Sequence, residues 1–229
     1  RPKPTFRKEL FVGYQAKSPK MSSDLVPQIK FVHDILENSK VEIFEVDGYE
    51  ADDLIGSLAD KFRSETDLKI IILSGDLDLL QLVEDEKVVV QLLRKGLSET
   101  FLYNESEVEK RYGLKPKQLP DLKGLLGDAS DNIPGVKSIG PKTGTPLIQK
   151  YGSLENLYEN LWEIPDKIGN KLEQQKETAF FSKNLATIKK DVPLALESLE
   201  ELKSQPFDRL ALAAYFQSLG FASLVDRLS

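Results

Sequence analysis

The chain has 229 residues, of which 40% are hydrophobic and 30% charged, and its formal net charge is −6, from 31 Lys and Arg against 37 Asp and Glu. That is enough for one large domain or two small ones with real cores. The absence of cysteine excludes disulfides, zinc–thiolate sites and cysteine nucleophiles. No apolar run approaches the ~20 residues that span a bilayer, and the first residues show no signal-peptide pattern, which together fit a reducing cytoplasm and no membrane partner. The one histidine, His33 in KFVHDILEN, reads as an ordinary helix residue and leaves little room for histidine-based catalysis.

Net charge argues mildly against nucleic acid, but the average conceals the distribution. Residues 1–40 hold eight Lys and Arg and four acids, and 134–150 hold three lysines and no acid. In chain order, the basic, Pro- and Ser-rich start reads as a loop. A helix follows near 25–38, with Leu25, Ile29, Val32 and Leu36 on one face. VEIFEV (41–46) reads as a strand, and ADDLIGSLADKF as a helix with one apolar face. LKIIILS (68–74) reads as a strand buried on both faces. KVVVQLL (87–93) reads as a strand, turning at Lys95-Gly96 into a hairpin with ETFLY. Asn104 with Glu107 resembles a capping box for a short helix through Arg111. Beyond Gly113 the strand signals stop, and helices are expected near 117–126, 143–151, 153–162, 170–188 and 207–219, the last closed by Gly220. This order predicts an α/β sheet over 1–114, with a basic segment near 5–24, and an all-helical part over 115–229.

Three acid clusters stand out. Glu50, Asp52 and Asp53 open a helix, where acids also serve simply as a complement to the helix dipole. Asp76 and Asp78 follow the strand 68–74, at the end where open α/β sheets bind ligands, although turns also favour Asp. Asp128 and Asp131 in GDASDN share one face of a helical turn, or act as caps. If the clusters converge, they need cations to stay ionised. Oxygen-only ligation suits Mg²⁺ or Mn²⁺, and two such ions about 4 Å apart bracket a scissile phosphate. No Ser, His or Cys nucleophile is then required. Beside the third cluster, Gly135 and Gly140 bracket Val136 and Ile139, and Lys142-Thr143 opens a helix. Backbone N–H groups there, with Lys137 and Lys142, could hold a phosphate; a plain helix–turn–helix corner is the alternative.

GYEADDLIG, SGDLDLLQLV, LLGDASDNIPGV and SIGPKTG occur in this order and spacing. Together with TFRKELFVGYQAK and MSSDLVPQI they resemble the 5′ nuclease domain of bacterial DNA polymerase I, of the flap endonuclease superfamily, over essentially the whole chain. The resemblance implies a PIN-like parallel-sheet core followed by a helical subdomain with a helix–three-turn–helix, or helix-hairpin-helix, motif near 128–151. It implies a monomeric, divalent-metal nuclease (Mg²⁺ or Mn²⁺, two or more ions) that cuts DNA at 5′ flaps, nicks and 5′ ends in replication and repair, and is fused to a polymerase domain in a bacterial cytoplasm. By motif position, Glu50, Asp52, Asp53, Asp76, Asp78, Asp128 and Asp131 match the metal-binding acids. Arg7 matches a basic residue near the scissile phosphate, and Lys17 an arch cation. Gly135, Lys137, Ile139, Gly140, Lys142 and Thr143 match the duplex-binding hairpin, which the family pairs with a potassium ion.

There are departures. The family's earlier stretch, with two more metal-ligand aspartates, is absent from this sequence; either the pocket is incomplete or, as a missing mid-sheet strand with unpaired ladder groups favours, the N-terminal part of the core is missing and the sequence is a fragment of a longer protein. Tyr14-Gln15-Ala16-Lys17-Ser18 stands where Tyr-Lys-x-x-Arg is usual, Leu77 replaces a lysine, and Gly144-Thr145-Pro146 replaces an alanine and a basic pair. These losses of positive charge predict weaker DNA engagement than a typical member shows. They also keep open a structure-specific DNA-binding module with little catalysis. An acidic phosphatase or a Ca²⁺-binding protein would explain the acids but not the glycine hairpin.

Overall fold

The structure is a computed structural model that describes residues 3–16, 21–65, 67–96 and 98–228. In chain order its elements are α1 (Phe6–Leu10), α2 (Gln28–Asn38), α3 (Ala51–Phe62), β1 (Ile70–Ser74), β2 (Val88–Lys95), β3 (Glu99–Tyr103), α4 (Glu105–Tyr112), α5 (Leu119–Leu126), α6 (Pro141–Tyr151), α7 (Leu154–Glu159), α8 (Asp166–Gln174), α9 (Lys176–Ala186), α10 (Arg209–Ser218) and α11 (Ala222–Leu228). A 3₁₀ turn at Leu77–Leu82 links β1 to β2. The chain forms two compact units, one of Arg1–Ser18 with Val46–Pro193 and one of Pro19–Glu45 with Leu194–Ser229.

In the first unit β1 pairs parallel to β2, and β2 antiparallel to β3, with a bulge between Leu93 and Lys95. The β-branched run Val88-Val89-Val90 is wholly buried because β2 is the central strand. One face of this mixed sheet packs with Ala59, Leu79, Leu80 and Val108 into a first core. A second core starts at Leu114 and joins Leu125, Ile148, Leu154, Leu157 and Leu172 from the helices that follow. This is the expected α/β core with a helical C-terminal part.

Three expectations fail. VEIFEV forms no strand: its β-branched and aromatic residues suit one, but a strand needs a ladder partner, and none of the described strands pairs with it. β1 is buried on one face only; Ile72 is 5% exposed, whereas Ile71 and Leu73 are 56% and 55% exposed, because β1 is an edge strand. The helix expected over 170–188 is two, α8 and α9, broken where Gln175 leaves helical geometry at φ −122° and ψ 22°.

In the second unit α2 buries none of its residues, so the face carrying Ile29 and Val32 is exposed. Tyr215 donates to Asp34 at 2.8 Å, Asp208 caps α10 by accepting from Leu210 and Ala211, and Gly220 (φ 77°) ends it.

Candidate active site

All three acid clusters lie in the first unit, and local structure explains where each one points. Glu50 sits in extended backbone at the start of α3, and its own N–H donates to Asp53 at 3.0 Å. Asp76 caps the 3₁₀ turn after β1 by accepting from the Asp78 N–H at 2.9 Å, so both acids stand at the C-terminal end of that strand. Asp128 and Ile133 exchange backbone hydrogen bonds of 2.9 and 2.8 Å, closing a tight loop that carries Asp131.

The clusters converge. Glu50, Asp52, Asp76, Asp78 and Asp131 line one cavity of about 50 Å³ together with Tyr14 and Gln15. An open cleft of about 610 Å³, edged by Lys3 and Lys8, reaches Glu50, Asp52 and Asp76. Asp78, Asp128 and Asp131 each offer a carboxylate oxygen, and the three lie within 4.8 Å of one another.

Burial pushes the Asp52 carboxyl up to about 7, and Asp76, Asp78 and Glu50 push the same way. Asp78 is also raised, chiefly by burial. Burial would raise Asp128 too, but the Lys123 ammonium and Ser130 outweigh it and hold that carboxyl at about 2. Desolvation raises the Tyr14 hydroxyl, which stays protonated and donates to Glu50 at 3.0 Å.

Two residues of the expected site are engaged elsewhere. Arg7 is 3% exposed, and all five of its N–H donors are used. Nε donates to the Leu185 carbonyl at 2.8 Å, and the terminal nitrogens donate to Asp53 at 2.7 and 2.8 Å, Glu50 at 3.2 Å and the Thr187 carbonyl at 2.9 Å. Such a guanidinium braces the site; it lines the small acid cavity but not the open cleft. Asp53 is 0% exposed; besides Arg7 it accepts from the backbone N–H groups of Glu50 and Lys189, which leaves it facing protein donors. Arg7 and Asp53, expected at the phosphate and at a metal, are thus paired with each other, and Arg7 also borders the acid cavity.

Lys17 lies outside the described residues. In the hairpin, Val136 and Ile139 are buried anchors, whereas Lys137 and Lys142 are exposed. Gly135 is required by packing, since a Cβ there would fall on the Leu126 carbonyl and the Gly127 nitrogen. Gly140 precedes α6, where Thr143 N–H donates to its carbonyl at 2.9 Å. Sequence reasoning missed Lys123, whose ammonium joins Asp78 and Asp128, and Gln81, which ties the 3₁₀ turn to the Ala186 carbonyl and the Ile188 N–H. Lys123 stands five residues before Asp128, outside any helical or strand period, so only its place in LKGLLGD marked it.

A profile of the 5′-3′ exonuclease N-terminal resolvase-like domain matches residues 1–113, and one of the 5′-3′ exonuclease C-terminal SAM fold matches 114–210. The chain belongs to the 5′-3′ exonuclease family. It is similar to DNA polymerase I of Caldicellulosiruptor bescii, 43% identical over 224 residues, covering 97% of this chain and 26% of the relative. The chain thus spans about a quarter of the length of the curated relatives it matches. Among solved structures it resembles the bacteriophage T5 5′-exonuclease with bound zinc, at a TM-score of 0.66 and 20% identity over 99% of this chain and 78% of that one. A T5 flap endonuclease in a pseudo-enzyme-product complex with DNA and metal ions gives a TM-score of 0.64 at 21% identity, with the same coverages of 99% and 78%. These likenesses bear out the nuclease fold expected from the sequence. The chain is a 5′-3′ exonuclease domain homologous to a segment of DNA polymerase I.

Proposed function

We propose that this exonuclease domain is a divalent-metal-dependent 5′→3′ exonuclease and 5′-flap endonuclease on DNA, working in a bacterial cytoplasm as part of a DNA polymerase I and as a monomer. The observation that carries the reading is the convergence of acids from three separate segments on one cavity beside an open cleft. The donor set fits a hard divalent cation. Asp78, Asp128 and Asp131 present oxygens close enough to share one ion, and two of them, Asp78 and Asp128, already hold a positive charge, the Lys123 ammonium. Asp52 and Asp76, facing the same space, would complete the centre. A bound Mg²⁺ or Mn²⁺ supplies a Lewis acid for phosphodiester hydrolysis.

The chain's own residues set the frame. Arg7 and Tyr14 orient Glu50. Lys3 and Lys8 give the cleft mouth positive charge toward a DNA backbone. The hairpin at 135–143, with exposed Lys137 and Lys142 before α6, would hold the duplex away from the cut, and a potassium ion would belong there. We further propose a division near residue 114, where the sheet core gives way to the helical core.

A 5′-flap duplex labelled on the flap strand tests this. Cleavage near the junction in Mg²⁺ or Mn²⁺, abolished by EDTA, is expected. Retention of the flap duplex without cleavage in either metal would favour the alternative, a DNA-binding module.

A further inference from the structure

Lys123 is the one residue at the acid centre that the nuclease reading leaves without a task. It projects from α5, its side chain 21% exposed, and contacts Asp78 from the turn after β1 and Asp128, at 2.5 Å, from the loop after α5. Beside it, one small cavity is lined by Leu77, Tyr112, Leu119 and Leu122 with Asp78 and Gln81. The other buried cation of the site, Arg7, is committed to Glu50 and Asp53. Lys123 therefore supplies the positive charge that lets Asp78 and Asp128 stand near Asp131 in the absence of an ion.

We infer that Lys123 is an internal counter-cation that competes with divalent metal for the Asp78–Asp128–Asp131 cluster, holding the centre assembled when empty of metal and withdrawing its ammonium when an ion enters. This rests on the reading of that cluster as a metal site. Three carboxylates can satisfy an ammonium or a doubly charged ion between Asp78 and Asp128, but both cations in that space would repel each other in a partly desolvated setting. The flexible four-carbon stem permits the exchange, which an arginine fork would not. By linkage, whatever lysine contributes to the empty site it subtracts from metal affinity.

Two measurements test the inference, both independent of catalysis. Mn²⁺ is titrated calorimetrically into the wild-type chain and into Lys123→Met and Lys123→Gln. Both variants are expected to bind Mn²⁺ roughly 5-fold or more tighter, the low end of ordinary site coupling. In the wild-type chain, where folding is not in question, reductive methylation of Lys123 read by mass spectrometry should be slow in EDTA and faster in saturating Ca²⁺. Equal Mn²⁺ affinity in wild type and variants, or Lys123 reactivity indifferent to Ca²⁺, overturns the inference and leaves the metal site standing. Absence of Mn²⁺ binding in wild type and variants alike would overturn the metal reading, and the inference with it.

Discussion

Arg7 and Asp53 form a closed pair: two parallel N–H···O bonds of 2.7 and 2.8 Å join side chains that are 3% and 0% exposed. The pair ties α1 to the first turn of α3, and the Arg7 bonds to the Leu185 and Thr187 carbonyls tie both to the end of α9. The three segments that carry or flank the acids are thereby fixed to one another before any ligand arrives.

Breaking that pair leaves a buried charge without its partner. Arg7→Met should destabilise the chain by about 3–5 kcal/mol, read as a lower midpoint in urea. Asp53→Asn, which keeps shape and loses charge, should also destabilise. A surface role at the phosphate predicts the opposite pattern, with stability unchanged and DNA affinity reduced.

Asp52 gives a pH dependence with a definite sign. Its carboxyl is raised to about 7 by burial and by Asp76 and Asp78, so between its unfolded value and pH 7 the folded chain binds the extra proton. Its contribution therefore favours folding at low pH, is lost as pH rises toward 7, and is a constant penalty above. In metal-free buffer, Asp52→Asn should raise the melting temperature at pH 8 and do so much less at pH 4. After discounting for partial solvent contact, the gain is on the order of 2 kcal/mol, or roughly 4–8 °C for a chain of this size. A gain equal at both pH values would refute this origin.

The hairpin separates packing from binding. Lys137→Ala and Lys142→Ala should each weaken duplex binding regardless of sequence and reduce the salt slope by about 1. Gly135→Ala should instead lower stability, because the backbone of Leu126 and Gly127 occupies the space of the new methyl. Loss of stability in the lysine variants, or a neutral Gly135→Ala, would contradict the geometry.

What was legible in the sequence is what local chemistry determines. The β-branched runs of β1 and β2, the Lys95-Gly96 hairpin and the Asn104 cap all appear where the pattern puts them. Residues 41–46 had strand-favouring residue types, but strand formation depends on a partner that local pattern does not report. The convergence of Glu50, Asp76 and Asp131 needed the fold or the family resemblance, since nothing in their spacing links three segments. Arg7 was placed near the phosphate by motif position; its partners, Asp53 and the carbonyls at 185 and 187, are distant in sequence and gave no local sign of the pairing. Lys123 was hidden for the same reason.

The central claim is that acids from separate segments act as one centre. Single-turnover cleavage of a 5′-flap duplex by Asp78→Asn, Asp131→Asn and the double variant, at saturating Mn²⁺, tests it most directly. Members of one centre are strongly non-additive, so each single change should cost roughly 10²-fold or more and the double little beyond the worse single. A wild-type rate in either single variant, or losses that simply multiply in the double, would contradict the account.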